Sequence, residues 1–213
     1  MSAELILRAL GFTLTATCVS FVLAALLGAL VAAARRGPWA PLRWLAIAWV
    51  SVLRGVPPLV WLFVAFFGIN LGQAKLTALT ATILTFSLVG SAFLAEAYRS
   101  GLDSVSRTQF EAVSATAMPA WPGFSRVILP QALPVSLSAA GAYLIHLLKD
   151  TALASLIGVQ ELTFITNDAV QRGSNGFTAF LLLGLAYLAL SVPVALAART
   201  AEAKLRKRWA VAA

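Results

Sequence analysis

Residues 96–130, EAYRSGLDSVSRTQFEAVSATAMPAWPGFSRVILP, decide how this chain is organised. They form a polar, amphipathic island between two very apolar flanks. Polar and charged side chains are costly in contact with lipid, so such an island gains nothing from the bilayer. We therefore expect the island to lie in water and to face a partner. This indicates a membrane domain that is driven from outside the membrane.

The composition is that of an integral membrane protein. Hydrophobic residues make up 60% of the 213 residues and charged residues 11%, whereas soluble domains average about 45–50% apolar and about 25% charged residues. The length predicts a single domain over 1–213. An open strand cannot satisfy its backbone in lipid, so the predicted fold class is all-α. The lone Cys18 excludes a disulfide framework.

About 20 apolar residues cross the hydrocarbon core as a helix. This length predicts five spans, at about 10–34, 44–70, 76–98, 132–148 and 177–198. The second span is interrupted by Arg54-Gly55-Val56-Pro57-Pro58. In the first span small residues recur every four positions, at Ser20, Ala24, Gly28 and Ala32. Such a stripe lets another membrane helix approach closely.

Lysine and arginine placement predicts the orientation. These residues cluster between the first two spans, in the island and in the tail after residue 198, whereas the opposite loops hold only Arg8, Lys75 and Arg172. We therefore expect the N-terminus outside and the island and C-terminus in the cytoplasm. The net charge of +8 is then a topology signal. A nucleic-acid partner is disfavoured because the basic residues form no single patch, and the tail is suited to anionic lipid.

Within the island, 109–118 predicts a short helix because it contains neither glycine nor proline. Pro119 then ends it, since proline removes a backbone donor. Phe110, Val113, Ala117 and Met118 fall on one apolar face of that helix. The helix would either lie on the bilayer or dock into a protein groove. Its small side chains favour the protein groove.

A broken segment is expected after the fourth span, up to residue 166. Lys149 lies about 24 Å along a helix from Leu133, toward the outer part of the membrane, and the run Ala152–Val159 is too short to span. A break that lines a cavity reconciles these facts. Six ionisable residues are candidates for a solute pathway: Arg54, Glu96, His146, Lys149, Asp150 and Glu161.

Each pathway candidate also has a structural interpretation. Lys149 and Asp150 could pair with neighbouring helices, and His146 could merely hydrogen-bond Asp150 four residues on. Arg54 could fix the cytoplasmic start of the second span, and Glu96 could be interfacial. Glu161 is open between the two interpretations.

Several motifs resemble the membrane subunits of binding-protein-dependent ABC importers. The island contains Glu111-Ala112-Val113, Ala117 where the family usually has glycine, and Ile128-Leu129-Pro130. Arg54-Gly55-Val56-Pro57 resembles the RGTP of the polar amino acid branch, and 149–154, KDTALA, resembles its KDTSLA. The resemblance covers most of the chain and implies a type I importer-like permease with five transmembrane helices.

The resemblance implies that loop 99–130 is a cytoplasmic coupling loop that inserts into a cleft of an ATPase subunit. The docking residues it implies are Gln109, Glu111, Ala112, Ala115, Ala117, Met118, Leu129 and Pro130. It also implies a dimeric ABC ATPase that uses the ATP, a second permease copy or paralogue, an extracytoplasmic solute-binding protein, an amino acid substrate, polar or charged, and the bacterial inner membrane. Alanine is mild in a helix, so Ala117 should preserve docking.

Two other classes of protein fit the sequence less well. An enzyme needs a nucleophile, a metal cluster or paired carboxylates, but the chain has one histidine and one cysteine, so no catalytic or metal site is predicted. It also lacks a phosphate-cradling glycine loop, and no cofactor is expected on this chain. A secondary transporter driven by an ion gradient usually carries internal repeats, and none is found. A permease for another small solute remains an alternative.

Overall fold

The computed structural model describes residues 2–71 and 74–210. Its helices are α1 (Ala3–Arg36), α2 (Ala40–Gly55), α3 (Pro58–Phe63), α4 (Ala78–Asp103), α5 (Arg107–Ala115), α6 (Ala120–Gly123), α7 (Leu129–Asp150), α8 (Leu162–Gln171) and α9 (Gly176–Ala210). Between them lie π turns at Val64–Gly68 and Phe124–Ile128, a 3₁₀ helix at Thr151–Ile157, and two paired two-residue strands, β1 (Asn70–Leu71) and β2 (Ala74–Lys75). Within these residues, four helices are long and apolar enough to cross a membrane, or five if the bent pair α2–α3 is one span.

Several helices are longer than the predicted spans. α1 begins at Ala3 where the prediction began at 10, and α4 continues to Asp103 where the prediction ended at 98. One continuous helix, from Ala120 to Ile157, replaces the short span predicted at 132–148. The polar connection is therefore 104–119, and the predicted loop bounds of 99 and 130 are wrong. A helix can continue from apolar into polar sequence because it satisfies its own backbone hydrogen bonds. A π turn before Pro130 accommodates the proline.

Helix α1 packs along α4 in the same direction through the small stripe. Ser20, Ala24 and Gly28 are buried against it, which confirms the prediction of close helix approach. A Cβ on Gly28 would lie 3.0 Å from both the Leu94 Cβ and the Ser91 carbonyl oxygen. Only the smallest side chains permit this spacing, which is the usual basis of helix association in membranes.

Helix α7 also packs against α4, in the reverse direction. A Cβ on Gly101 would lie 1.9 Å from the Ser136 Oγ and 2.6 Å from the Ala132 carbonyl oxygen. A Cβ on Gly90 would lie 2.7 Å from the Tyr143 hydroxyl and 2.7 Å from the Ala24 Cβ. Helix α4 is thus the centre of the fold, in contact with both α1 and α7.

The second predicted span is bent. Helices α2 and α3 meet at 100° across Val56 and Pro57. Val56 is extended at φ −110° and ψ 136°, as expected for a residue before proline. Trp49 anchors α2 to α4 by donating a hydrogen bond from Nε1 to the Ser91 Oγ at 3.0 Å. After the bend, Leu62 of α3 packs with residues of α4 and the 3₁₀ helix.

Helices α8 and α9 complete the end of the molecule that holds the N-terminus. The Leu162 amide donates to the Thr13 Oγ1 of α1 at 3.4 Å, and Leu162 and Ile165 pack with Tyr187 of α9. Helix α9 also crosses α7, where a Cβ on Gly141 would lie 2.5 Å from the Ala198 Cβ. Before its charged C-terminal end, α9 is apolar and largely exposed, as expected for a surface that contacts lipid or another chain.

Substitution of Gly101 tests the crossing of α4 and α7. Gly101→Ala is expected to lower the free energy of unfolding by about 1–3 kcal/mol, because the added methyl group would overlap a backbone carbonyl. Thermal unfolding in detergent micelles measures the change. The matched control is Gly11→Ala, where nothing lies within 4 Å of the added Cβ and helix propensity favours alanine. Equal stabilities of the two variants would contradict the packing.

Candidate functional site

The connection 104–119 presents helix α5 to solvent. Five of the predicted docking residues are exposed on it: Glu111, Ala112, Ala115, Ala117 and Met118. The Glu111 carboxylate pairs with Arg107 at 3.2 Å, with side chains 65% and 92% exposed. An exposed pair of this kind contributes little to stability. The surface is therefore open for contact with another protein.

The other face of α5 is anchored to the membrane helices. Phe110 and Val113 pack against a cluster that contains Leu102 of α4 and Ala132 of α7. Val105, just after α4, and Ile128, just before α7, complete the cluster. A Cβ on Gly123 would lie 2.4 Å from the Val113 Cγ1. This contact joins α5 to α6, which leads into α7.

The remaining docking candidates lie on this anchored side. The Gln131 Nε2 donates a hydrogen bond to the Gln109 Oε1 at 3.3 Å, so Gln109 is part of the anchor. Leu129 and Pro130 are half-buried in the first turn of α7. The eight candidates are therefore divided between an exposed surface and a supporting contact.

The predicted helix 109–118 is wrong at both ends. Helix α5 begins at Arg107 and ends at Ala115, and Ala117 adopts a left-handed conformation with φ 51°. The Thr116 hydroxyl donates to the Ala112 carbonyl at 3.1 Å, and Met118 precedes a proline, which disfavours continued helix. Ala117 therefore lies outside the helix, and the prediction that it is helical is wrong. A glycine there would adopt this φ without strain.

Glu96 belongs to an ion-pair network that joins α1 to α4. Its carboxylate pairs with Arg35 at 2.5 Å and with Arg99, and Arg99 pairs with Asp103 at 2.6 Å. Arg36 also pairs with Asp103. The Arg35 and Glu96 side chains are only 18% and 24% exposed, so removing one of them would leave a charge poorly solvated. This geometry supports a structural role for Glu96.

Arg54, His146 and Asp150 lie along a line of charged and aromatic side chains. The Arg54 guanidinium lies 5.1 Å from the centre of the Phe93 ring, a cation–π geometry. Phe93 stacks on Tyr143 with ring centres 5.1 Å apart. His146 follows Tyr143 at 6.4 Å, and its Nε2 lies 3.3 Å from the Asp150 Oδ2. We call these five residues the α4–α7 cluster.

Arg54 does not lie at the start of the second span. It ends α2, at the opposite end of that helix from Ala40, which adjoins the C-terminus of α1. Its partner Phe93 lies ten residues before Asp103 in α4, about 15 Å along the helix axis. The interpretation that Arg54 fixes the cytoplasmic start of this span is therefore wrong.

The last two pathway candidates differ from the α4–α7 cluster. Lys149 is exposed at the end of α7. Glu161 is 1% exposed, and its two oxygens accept hydrogen bonds from the Phe164 amide and the Tyr187 hydroxyl, each at 2.8 Å. Burial raises the pKa of the Glu161 carboxyl above its ordinary value, although these hydrogen bonds oppose the shift. Its contacts are those of a helix N-cap for α8.

Sequence reasoning missed Phe93, Tyr143 and Tyr187 as partners of the candidates. The spacing of Tyr143, His146 and Asp150 is i, i+3 and i+7, so the face of α7 that they share was detectable. Phe93 and Tyr187 lie in apolar runs of other helices, and no local pattern marks them. Among the residues that the structure describes, no group of three or more His, Cys, Asp or Glu side chains could hold a metal ion.

A family model supplies the decisive comparison. The model of the binding-protein-dependent transport system inner membrane component matches residues 8–207. The chain belongs to this family. As an inner membrane component it is a permease subunit and not an enzyme, since ATP hydrolysis in such systems resides on a separate subunit. Several of its helices can span the membrane.

Two curated relatives and two solved structures agree with this family. The permease is 34% identical to YckA of Bacillus subtilis (strain 168), a probable amino-acid ABC transporter permease. That alignment covers 87% of this chain and 82% of YckA. It is also 28% identical to GlnM, a probable glutamine ABC transporter permease of the same organism, in an alignment that covers 92% of this chain and 91% of GlnM. A crystal structure of an amino acid ABC transporter with histidines matches at TM-score 0.87 and 27% identity, covering 94% of each chain. The MetNI methionine ABC transporter shares the fold, at TM-score 0.82 and 23% identity, covering 96% of this chain and 99% of that one.

The ion pair between Arg35 and Glu96 is expected to stabilise the permease. A double-mutant cycle with Arg35→Ala and Glu96→Ala should give a coupling energy of about 1–3 kcal/mol, because the pair is partly desolvated and hydrogen-bonded. Chemical denaturation in detergent micelles measures it. The control cycle is Arg8→Ala with Glu4→Ala, whose side chains are both 73% exposed, with a coupling below about 1 kcal/mol. Equal couplings in the two cycles would contradict the network.

Proposed function

We propose that this permease carries a polar or charged amino acid across the bacterial inner membrane, powered by a separate ABC ATPase. The observation that carries the proposal is the coupling segment 104–119. Its α5 helix is exposed on one face and packed on the other against the ends of α4 and α7. A short helix held in this way passes movement of a docked partner to the membrane helices. The names of the relatives support an amino acid as the substrate.

Charge placement supports a cytoplasmic position for α5. The C-termini of α1 and α4 lie together, joined by the ion pairs of Arg35 with Glu96 and of Arg36 with Asp103. The basic end of α9 lies at the same end of the molecule, since α9 runs antiparallel to α7 and Ala198 meets Gly141. Arginine and lysine are enriched on the cytoplasmic side of membrane proteins. We infer that the N-terminus is outside, where a solute-binding protein delivers the substrate.

Pairing of two permease chains completes the pathway. One copy of a five-span chain encloses little space. Large apolar side chains are exposed on α2, on the π turn after α3 and on α9, among them Trp44, Phe67 and Leu185. Part of this surface faces lipid, and part is available to a second copy or a paralogue. Each copy would dock one subunit of the ATPase dimer.

Movement of α5 reaches the α4–α7 cluster through the packing described above. When the ATPase dimer closes on ATP, the docked α5 helices move with it. Because Phe110 and Val113 pack against residues at the adjoining ends of α4 and α7, the displacement shifts these two helices. Phe93 of α4 and Tyr143 of α7 stack directly on each other. A shift between the helices therefore changes the surface along which a solute passes.

The α4–α7 cluster offers complementary charges to an amino acid. Arg54 presents a guanidinium at one end, and Asp150 presents a carboxylate at the other. An α-carboxylate suits the guanidinium, and an α-ammonium group suits the carboxylate. We infer that Arg54, His146 and Asp150 contact the substrate. Glu96 and Glu161 hold the surrounding helices, since each is engaged by neighbouring side chains or amides.

Reversing the chemistry of the exposed surface tests docking. The double variant Glu111→Lys with Ala117→Asp should reduce ATPase co-purification and permease-stimulated hydrolysis by at least about tenfold, as for loss of an interface hot spot. Membrane insertion should persist, because both side chains point away from the membrane helices. Proteoliposomes with the permease and ATPase provide the measurement.

The matched control is Ala117→Gly. It relieves the left-handed φ and should raise stability by about 1 kcal/mol while coupling stays unchanged. Unchanged coupling in the double variant would refute the docking assignment. Uptake driven by an ion gradient without the ATPase would refute the ATP-driven function.

Asp150 and Glu161 give a second, independent comparison. Asp150→Asn is expected to lower amino acid uptake at least about tenfold, because it removes the partner of the substrate ammonium group. Glu161→Gln should leave uptake within about twofold, since an amide can still cap α8 and bond Tyr187. Both variants should retain ATPase docking. Loss of uptake in Glu161→Gln alone would reverse the assignment.

A further inference from the structure

A groove lies between α1, α8 and the first turns of α9. Its volume is about 710 Å³. Leu5 and Ile6 form one wall, and Leu162, Leu182 and Leu183 continue it. The groove lies at the end of the molecule that holds the N-terminus. It belongs neither to the coupling segment nor to the α4–α7 cluster.

The groove follows the depth of one bilayer leaflet. Five polar lining residues precede the first residue of α9, namely Thr166, Asp168, Arg172, Ser174 and Asn175, and a sixth, Thr178, lies in its first turn. Its apolar lining then continues along α9 as far as Ala186, about 15 Å from the helix start at 1.5 Å per residue. This is half the thickness of the hydrocarbon core. A polar rim above an apolar slot of that depth matches a headgroup above an acyl chain.

The rim offers both signs of charge to a headgroup. The Arg172 Nε and Nη2 approach the Asp168 carboxylate at 3.1 Å and 3.0 Å. A guanidinium has five donors, so donors remain free after these two contacts. The side chains are 78% and 39% exposed. A phosphate can therefore bind the guanidinium while an ammonium group binds the carboxylate.

We propose that this groove binds one bilayer phospholipid with a zwitterionic phosphoethanolamine headgroup. The phosphate contacts Arg172, the ammonium group contacts Asp168, and one acyl chain fills the slot beside Leu182 and Ala186. The paired charges disfavour a purely anionic headgroup, because Asp168 would repel it. The adjoining surface of α9 is open to lipid, with Phe177 80% and Leu181 51% exposed.

Lipid retention by the full-length permease tests this inference without any transport assay. The chain is purified in detergent, and native mass spectrometry measures binding of phosphatidylethanolamine and phosphatidylglycerol over a titration. One phosphatidylethanolamine per chain is expected. Arg172→Gln should weaken its binding about fivefold or more, the effect of losing a charge-assisted hydrogen bond. Ala179→Phe should weaken it similarly by filling the groove.

Two matched controls isolate the groove. Arg8→Gln removes an arginine that is also paired four residues away, at the same end of the molecule. Ala189→Phe adds the same bulk to an exposed position of α9 outside the groove. Both controls should bind phosphatidylethanolamine within about twofold of the wild type.

Three outcomes would overturn the inference. Equal binding by wild type, Arg172→Gln and Ala179→Phe would show that the lipid is not held in this groove. Equal affinity for phosphatidylglycerol would refute the zwitterionic headgroup. Loss of the bound lipid when two permease chains pair, or when a solute-binding protein is added, would show that a protein covers the groove instead.

Discussion

The close contact of α4 with both α1 and α7 is the constraint on which the structure depends. Lipid is as apolar as the helix surfaces, so no hydrophobic drive holds membrane helices together, and packing at short distance must do so. Gly28 allows α4 to approach α1 closely, and Gly90 and Gly101 allow α7 to approach α4. These glycines leave no room for a Cβ, whereas glycines without neighbours, such as Gly11, carry no such role. The relative positions of α1, α4 and α7 follow from these contacts.

One end and the middle of this three-helix core have different chemistry. At one end, the arginines of α1 are neutralised by Glu96 and Asp103 of α4, and the anchored face of α5 covers the junction of α4 and α7. At mid-depth, Phe93 and Tyr143 carry the packing between α4 and α7 and connect Arg54 to His146. Because both regions lie on the same two helices, in the proposed mechanism a displacement at the coupling segment changes the geometry of the charged cluster. The proposed mechanical and solute-facing roles would then share one pair of helices.

The sequence predicted the helices well and their ends poorly. Apolar length identifies a span, but α4 and α7 continue into polar residues because a helix satisfies its own backbone in water and lipid alike. The small stripe of α1 was recognisable because its spacing is a local pattern. Ala117 was misplaced in a helix, since its left-handed φ results from the way Thr116 and Pro119 end α5. Arg54 was assigned to the wrong end of α2, because the helix start at Ala40 has no distinctive capping residue.

By itself, the sequence determined the membrane class, the polar island, the motifs of an importer permease and the charge asymmetry along the chain. These properties depend on hydropathy, spacing and residue type, which are local. Only the tertiary structure decided the 100° bend between α2 and α3, the meeting of Arg54 with Phe93 and Tyr143, and the groove beside α8 and α9. Each of these joins residues far apart in sequence, and their distances depend on the angles at which helices cross. Those angles come from packing of small side chains between helices, and local sequence patterns do not determine them.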